Sequence, residues 1–206
     1  KKISKKTKSD KYIKYASSEA VVRLNMSTRP AYAHCLYHAA RLTKKLNYKK
    51  FSAIEFGVAG GNGLYFLDQF ARQLSKEFNI EIEVYGFDLV SGLPDPKGYK
   101  DLPYIFKKGL FPMNKNKLLT KLKISKVIVG DVENSIKDFF NKNNPAPIGF
   151  ISNDLDYYSS TLSSFDIFNN DSKYYLPRIF CYFDDVHGDE VSMYGEHSGE
   201  LLAIKE

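Results

Sequence analysis

The chain has no tryptophan, only two cysteines and no long apolar run among its 206 residues. Cys35 and Cys181 lie outside any CxxC pair, so we expect reduced, buried thiols rather than a disulfide framework. The apolar runs are much shorter than the roughly 20 residues of a membrane-spanning helix. The lysine-rich start has no apolar core of the kind that a secretory signal requires. We therefore expect a cytoplasmic protein with no membrane partner.

Acidic residues are fewer than basic residues, which affects the kind of partner that we expect. The formal net charge is +6, from 30 Lys and Arg against 24 Asp and Glu. Much of the excess lies in 1–10, which we expect to be a flexible basic tail. Without that tail the chain is close to neutral, so nucleic acid is not an expected partner. The length fits one main domain, which we assign to 51–206, after an N-terminal helical extension or lid over 11–50.

From Phe51 onward, short apolar strands alternate with helical stretches. This alternation predicts an α/β fold of the Rossmann-like type, with a doubly wound, mainly parallel sheet and helices on both faces. The chain stops within a predicted helix that starts at Gly199, where such a domain normally continues. We therefore expect the domain to be truncated there, with C-terminal strands missing. The predicted strands are 52–58, 81–88, 126–129, 148–153 and 178–183, and the predicted helices are 12–46 (interrupted at 25–30), 64–78, 117–122, 135–141 and 161–168.

A glycine-rich turn follows the first predicted strand. Glycine lets a backbone turn sharply and approach a ligand without a Cβ clash. The N-terminus of the next helix points to the same place, which favours a negatively charged group. The turn fits neither the dinucleotide pattern GxGxxG nor the phosphate-loop pattern, and a tight turn without a ligand is an equal alternative. Its glycines are Gly57, Gly60, Gly61 and Gly63, and Glu55 precedes them.

This order of residues resembles the first motif of class I S-adenosylmethionine (SAM)-dependent methyltransferases. The resemblance implies that the glycine amides bind the carboxylate of SAM, while Glu55 holds its ammonium through water. Asp88 ends the second predicted strand, where an acid can accept both ribose hydroxyls or can cap the next loop. Asp131, after the third strand, lies near the adenine or caps the helix from Glu133.

Two acidic pairs follow the fourth and fifth predicted strands: Asp154 with Asp156, and Asp184 with Asp185. Parallel strands end at one edge of a sheet, so we expect these four carboxylates to converge. Magnesium and similar hard cations prefer oxygen ligands, although single acids at such positions also cap helices or pair with Lys and Arg. His187 is a base, a hydrogen-bonding residue behind the ligands or an exposed loop histidine.

The segment 154–161 resembles the D-G-D-x-Y-x-S-T segment of the macrocin O-methyltransferase (TylF-like) family. Further segments are similar to that family in the same order, so the resemblance extends from about residue 54 to the chain end. It implies a SAM-binding domain in which Asp154, Asp184 and Asp185 hold a divalent cation. Asn153, Leu155 and Val186 depart from the family pattern. The further segments are 85–94, 106–111, 130–135, 183–186 and 199–206.

The residues and the resemblance together predict an O-methyltransferase that uses SAM and Mg2+, or another divalent cation, and acts on a hydroxyl of a small molecule. The resemblance implies that the acceptor is a sugar or a glycosylated metabolite, while the residues themselves do not identify it. A cation would lower the proton affinity of the acceptor hydroxyl. The candidate catalytic residues are Asp154, Asp156 and His187, of which Asp156 or His187 is the base.

Two other functions stay open at this stage. A non-haem iron hydroxylase on a related scaffold would use two histidines and a carboxylate, and His187 with His197 supplies part of such a set. A non-catalytic protein that binds SAM or a nucleotide would keep the fold without the chemistry. The helices that precede the core form a lid, a dimer contact or ordinary packing, so a homodimer is one expected assembly.

Overall fold

The protein is described by a computed structural model over residues 16–188 and 194–206. Within these residues five strands form one parallel sheet in the order β3-β2-β1-β4-β5. The predicted α/β fold with a parallel sheet is therefore confirmed, while the predicted tail over 1–10 lies outside the described residues. The strands are β1 (Lys50–Phe56), β2 (Glu81–Asp88), β3 (Lys126–Val129), β4 (Ile148–Asn153) and β5 (Tyr175–Phe183).

Helices connect these strands, and their starts follow local chemistry. Pro30 begins the second helix, where its fixed φ and missing N–H are tolerated. Ser17 caps the first helix by accepting the N–H of Ala20. The α-helices are α1 (Ser18–Arg23), α2 (Pro30–Lys45), α3 (Asn62–Phe78), α4 (Lys115–Leu119), α5 (Val132–Asn143), α6 (Tyr158–Ser164) and α7 (Gly199–Lys205), and short 3-10 helices lie at Tyr99–Asp101, Phe165–Phe168 and Ser172–Tyr174.

The predicted boundaries of β2, β3 and β4 agree with the structure, whereas those of other elements shift by a few residues. Strand β5 begins at Tyr175 rather than at 178, because its pairing with β4 extends back to Ile148. Helix α5 begins at Val132 rather than at 135, because Asp131 caps it. The helix predicted over 161–168 is α6, which starts at Tyr158, and its last residues form a 3-10 helix.

Helices cover both faces of the sheet, as the alternation predicts. One apolar cluster joins α2 and α3 to the sheet and includes Leu36, Phe70 and Phe150. A second cluster on the other face joins α5 to the sheet and includes Phe87 and Phe139. Strands β1 and β4 are buried over nearly their whole length, because apolar layers lie on both of their faces. The rigid sheet therefore presents its strand ends at one edge.

Helix α2 packs against α3, β1, β4 and β5. Its buried side includes Tyr32, Leu36 and Ala40, so this part of the predicted extension over 11–50 is in contact with the sheet. Whether that extension acts as a lid or a dimer contact stays a prediction.

Both cysteines are free thiols. Cys35 is half-buried on α2, and Cys181 is exposed on β5, which lies at the edge of the described sheet. The predicted burial is therefore wrong for Cys181. Among the described residues, no helix is both long enough and apolar enough to cross a membrane.

Candidate active site

A cavity of about 330 Å³ opens at the edge of the sheet where the parallel strands end. It lies beside the glycine turn after β1, the loops after β2 and β3, and both acidic pairs after β4 and β5. The strand order brings these segments together, because parallel strands place their carboxyl ends on one edge. The predicted site residues that line the cavity are Gly57, Asp88, Asp131, Asp154, Asp156, Asp184 and Asp185.

Gly57 and Gly61 form the sharp turn between β1 and α3. Both have a left-handed backbone, with φ of 83° and 79°, which glycine adopts without strain. A Cβ at Gly57 would lie 1.7 Å from the backbone oxygen of Asp154, so β1 and the loop after β4 can approach only because this residue is glycine. Gly60 is exposed, and no atom lies within 4 Å of the place where its Cβ would be. Its backbone is therefore open to a ligand.

Glu55 is buried beneath this turn, with 1% of its surface exposed. Its Oε1 accepts a hydrogen bond of 2.9 Å from the hydroxyl of Tyr32, while its Oε2 has no partner in the described structure. A Cβ at Gly63 would lie 1.8 Å from that Oε1, so glycine makes room for the carboxyl group. Burial is the main reason that the pKa of Glu55 rises to about 8.

Asp88 connects the glycine turn to the loop after β2. Its Oδ2 accepts the N–H groups of Val58 and Ala59 at 3.0 and 2.8 Å, and its Oδ1 accepts the N–H of Val90 at 2.5 Å. The carboxylate therefore caps the loop, which is one of the two roles that the sequence predicts for Asp88. The residue also lines the cavity. Its predicted contact with a ribose stays a prediction.

Asp131 combines the two positions that the sequence left open. Its carboxylate caps α5 by accepting the N–H of Glu133 at 3.0 Å, and the residue also lines the cavity. The loop before it is compact, because Gly130 donates its N–H to the backbone oxygen of Asp88 at 3.0 Å. Asp88 and Asp131 therefore lie at the carboxyl ends of two neighbouring strands, β2 and β3.

Three acidic residues after β4 and β5 have raised pKa values: Asp154, Asp156 and Asp185. Burial, followed by the nearby charges of Asp184 and Asp185, raises the pKa of Asp154 to about 7. Burial and then Asp185 and Asp154 raise the pKa of Asp156 to about 8. The pKa of Asp185 is also raised, chiefly by burial and then by Asp184. Several like charges in one partly dehydrated place cannot all ionise freely, so the cluster retains protons near neutral pH.

The acidic side chains of the described structure do not have the arrangement of metal ligands. Among the described residues, no three His, Cys, Asp or Glu side chains are grouped so that they could hold a metal ion. The carboxyl group of Asp156 lies close to that of Asp185, whose charge adds to burial in raising the pKa of Asp156. The predicted use of Mg2+ is therefore not confirmed. However, Oδ2 of Asp185 is buried and has no hydrogen-bond partner in the described structure.

Asp184 lines the cavity, whereas several other predicted residues are not part of its lining in the described structure. Asp184 is exposed and accepts a 2.5 Å hydrogen bond from the hydroxyl of Tyr182. His187 and His197 are exposed, and the cavity lining in the described part of the chain includes neither of them. The lining there also omits Glu55 and Gly60, together with Gly61 and Gly63. The candidate base inside the cavity is thus Asp156.

The loop after β2 forms an apolar wall of the cavity. Leu93, Pro94 and Leu110 line it, and two backbone hydrogen bonds close the loop, from the N–H of Leu93 to the oxygen of Leu110 (2.8 Å) and from the N–H of Gly109 to the oxygen of Leu93 (2.9 Å). The loop is anchored at Asp101, which is 1% exposed. Asp101 accepts the backbone N–H and the hydroxyl of Ser159 at 2.8 and 2.7 Å.

Sequence reasoning missed three residues that organise the site: Tyr32, Asp101 and Glu200. Glu200 has no exposed surface and accepts the N–H groups of Leu155 and Asp185 at 3.2 and 2.9 Å. Burial is the main reason that its pKa rises to about 8. Glu200 falls in a segment that resembles the macrocin O-methyltransferase family, but nothing in the local sequence indicates its partners.

Comparisons with known proteins identify the fold. No protein-family model and no curated protein sequence matches the chain. A crystal structure of CalS11, a calicheamicin methyltransferase, aligns with a TM-score of 0.64 and 18% identity over 96% of this chain and 80% of that chain. The O-methyltransferase NovP aligns at 0.51 and 16% over 76% and 65%. An apo structure of CalS11, described as a TDP-rhamnose 3'-O-methyltransferase, aligns at 0.50 and 19% over 96% and 80%. The chain therefore shares the fold of these O-methyltransferases.

Proposed function

We propose that the protein is a SAM-dependent O-methyltransferase that acts on a hydroxyl of a small molecule, with a sugar or a glycosylated metabolite as the acceptor. The observation that carries the proposal is that one cavity borders the glycine turn and Asp88 as well as the carboxylates after β4 and β5. The first group suits a cofactor with a carboxylate and a ribose, and the second suits a hydroxyl that must lose its proton. The fold shared with CalS11 and NovP supports this class of reaction.

The proposed cofactor site joins the glycine turn to the ends of β2 and β3. The backbone of Gly57, Gly60, Gly61 and Gly63, at the start of α3, would bind the carboxylate of SAM. Glu55 would hold the ammonium, because its buried Oε2 has no hydrogen-bond partner in the described structure. Asp88 would accept the ribose hydroxyls, and Asp131 would lie beside the adenine. On this proposal 51–206 forms the cofactor-binding domain.

A divalent cation such as Mg2+ fits the acidic cluster by the chemistry of the donors. Asp154, Asp184 and Asp185 would hold it, since hard cations prefer carboxylate oxygens. Two observations support this assignment. Oδ2 of Asp185 has no hydrogen-bond partner in the described structure, and burial, followed by the nearby charges of Asp184 and Asp185, raises the pKa of Asp154. A cation would relieve both. When bound, it would lower the proton affinity of the acceptor hydroxyl.

Asp156 is the proposed base, with His187 as the second candidate. Asp156 lines the cavity, where its carboxylate can accept the proton of an acceptor hydroxyl. His187 is exposed, so it would need to turn inward to reach an acceptor in the cavity. The apolar wall of Leu93, Pro94 and Leu110 would keep water away from the acceptor oxygen and orient it for the in-line transfer.

The iron hydroxylase reading receives no support from the geometry. It needs two histidines beside a carboxylate, whereas His187 and His197 are both exposed and are not part of the described cavity lining. A non-catalytic SAM-binding protein is a distinct outcome of the experiment below.

The proposal is tested by methyl transfer from SAM labelled in its methyl group. The full chain is incubated with Mg2+ and a panel that contains TDP-rhamnose, other nucleotide-linked sugars, glycosides and phenols. We expect label on a sugar hydroxyl and an equal amount of S-adenosylhomocysteine (SAH). Asp156→Asn should slow transfer strongly, whereas Asp166→Asn, at an exposed position, should not.

Two negative results have different meanings. If calorimetry detects no SAH binding to the folded protein, the proposed cofactor site is wrong. If SAH binds but no acceptor in the panel is methylated, the non-catalytic reading is favoured.

A further inference from the structure

Glu200 joins the two acidic loops of the site through their backbones. Its Oε1 accepts the N–H of Leu155 at 3.2 Å, and its Oε2 accepts the N–H of Asp185 at 2.9 Å. Leu155 lies between Asp154 and Asp156, and Asp185 belongs to the second pair. One fully buried carboxylate therefore bridges the backbone of both pairs.

The backbone hydrogen bonds of the sheet end before the two acidic loops. The pairing of β4 with β5 ends at Asn153 and Phe183, followed by one hydrogen bond of 3.0 Å from the N–H of Asp184 to the oxygen of Asn153. Past this point, the backbone hydrogen bonds found in the described residues do not link the two loops. The carboxylate of Glu200 on α7 joins the two backbones there in the described structure.

The turn that Glu200 holds is a strained one. Asp156 has a left-handed backbone with φ of 60°, which costs a non-glycine residue energy. The N–H of Tyr157 approaches the oxygen of Leu155 to 2.6 Å across this turn. Glu200 holds the turn at Leu155, and the buried side chain of Tyr157 holds it on the other side, with its hydroxyl 3.3 Å from the backbone oxygens of Pro94 and Phe106. Together they hold the backbone on both sides of Asp156.

From this geometry we propose that Glu200 is a positioning residue: it sets the separation between the loop of Asp154 and Asp156 and the loop of Asp184 and Asp185, so that the two pairs act on one acceptor. The inference rests on the proposed O-methyltransferase function. Glu200 acts through Leu155 and Asp185 rather than on the substrate, because both of its oxygens are directed to backbone N–H groups.

Substitution of Glu200 by glutamine tests this role, because glutamine keeps the shape but offers only one acceptor atom. Its NH2 group would face one of the two backbone N–H groups, so one bridge must open. Glu200→Asp keeps the carboxyl group, but its shorter side chain cannot reach both amides in the same way. Glu196→Gln is the control, since Glu196 is exposed and is paired with Lys205 at 3.1 Å.

The first readout is hydrogen exchange at single amides, which requires neither cofactor nor activity. In the unsubstituted protein we expect the amide protons of Leu155 and Asp185 to be protected. In Glu200→Gln at least one of them should exchange about tenfold faster or more, while amides in the middle of β1 keep their protection. Fast exchange at both amides in the unsubstituted protein would overturn the inference, even if no variant folds.

The second readout separates positioning from general stability. For Glu200→Gln we expect Mn2+ affinity to fall by about tenfold or more, as for other residues that orient metal ligands. The kcat should fall by roughly a hundredfold, as when reacting groups are misplaced by about 1 Å. The Kd for SAH should stay within about threefold of the original, which corresponds to a loss of less than 1 kcal/mol at the cofactor site. Glu200→Asp should recover part of the kcat, and Glu196→Gln should match the unsubstituted protein.

Three results would count against the inference or against its premise. If Glu200→Gln keeps its kcat and its Mn2+ affinity, Glu200 is not a positioning residue. If SAH binding falls as steeply as kcat, the substitution acts through the whole domain instead. If the unsubstituted protein transfers no methyl group, the proposed function fails, and the amide exchange still shows whether Glu200 holds the two loops together.

Discussion

The hydroxyl of Tyr32 donates a hydrogen bond of 2.9 Å to Oε1 of Glu55, which connects helix α2 to the end of strand β1. The ring of Tyr32 lies under the guanidinium of Arg29, 5.3 Å from the ring centroid. Gly63 completes this arrangement, since a Cβ there would collide with Glu55 Oε1 and lie 3.1 Å from the Tyr32 ring. A helix that precedes the sheet therefore helps to shape the candidate cofactor site.

The raised pKa of Glu55 predicts a pH-dependent stability. Its pKa rises from an ordinary value of 4.5 to about 8 on folding, so the folded protein binds a proton that the unfolded chain has released. The contribution of Glu55 is complete below pH 4.5 and is lost as pH rises to 8, by about 1.4 kcal/mol for each pH unit. In Glu55→Gln this loss is absent. We therefore expect the variant to gain stability relative to the original protein between pH 5.5 and pH 8.

The measurement is denaturant unfolding at both pH values without added cofactor or metal. Glu81→Gln, at an exposed position on β2, is the control and should show no pH-dependent difference. An equal effect of Glu55→Gln at pH 5.5 and pH 8 would mean that Glu55 does not change its charge in this range.

Two glycines of the turn should respond differently to alanine. Gly57→Ala places a Cβ 1.7 Å from the backbone oxygen of Asp154 at a φ of 83°, so we expect it to lower the free energy of unfolding by roughly 2–3 kcal/mol. Gly60→Ala meets no atom within 4 Å and should change stability by no more than about 0.5 kcal/mol. Thermal or denaturant unfolding measures both effects.

Gly60→Ala also tests the proposed cofactor site. If SAM approaches this open backbone closely, the added methyl group should weaken SAH binding by about tenfold, or roughly 1.4 kcal/mol, in a calorimetric titration. Unchanged SAH binding by Gly60→Ala would show that the ligand does not contact this part of the turn.

Removal of the Asp88 carboxylate should affect both stability and cofactor binding. Asp88→Ala leaves three backbone N–H groups without their acceptor, which should cost about 1–3 kcal/mol of unfolding free energy. We expect SAH affinity to fall at least tenfold, about 1.4 kcal/mol. Asp95→Ala, on an exposed residue of the following loop, is the control.

A 2′-deoxy analogue of SAH separates a direct ribose contact from support of the glycine turn. If Asp88 binds the ribose, the loss of the hydroxyl should weaken binding to the original protein but have little further effect in Asp88→Ala. Additive losses would mean that Asp88 acts only through the turn.

The proposed cation is tested by its removal and by Asp185→Asn. We expect a chelator to abolish methyl transfer and Mg2+ to restore it, because the acidic cluster would otherwise remain partly protonated. Asp185→Asn should weaken Mn2+ binding by at least about tenfold, whereas its SAH affinity should be retained and Asp166→Asn should behave like the original protein. Methyl transfer that persists in excess chelator would contradict this assignment.

The positions of the candidate site residues could be predicted because they follow buried strands. Strands β2 and β4 end at the residues predicted, and parallel pairing then brings Asp88 and Asp154 to the same edge. Glu200 could not be found in this way. It lies 45 residues from Leu155 in the chain, and only the packing of α7 places its carboxylate beneath both acidic loops.

The sequence by itself determined the parallel α/β sheet and the edge at which the acidic residues collect, because strand burial and chain order depend on local apolar patterns. Only the tertiary structure decided which carboxylate oxygens have partners. Both oxygens of Asp88 bind backbone N–H groups, whereas Oε2 of Glu55 and Oδ2 of Asp185 have no partner in the described structure. The physical reason is that burial and hydrogen bonding of a side chain depend on segments that are distant in sequence and meet only in the folded protein.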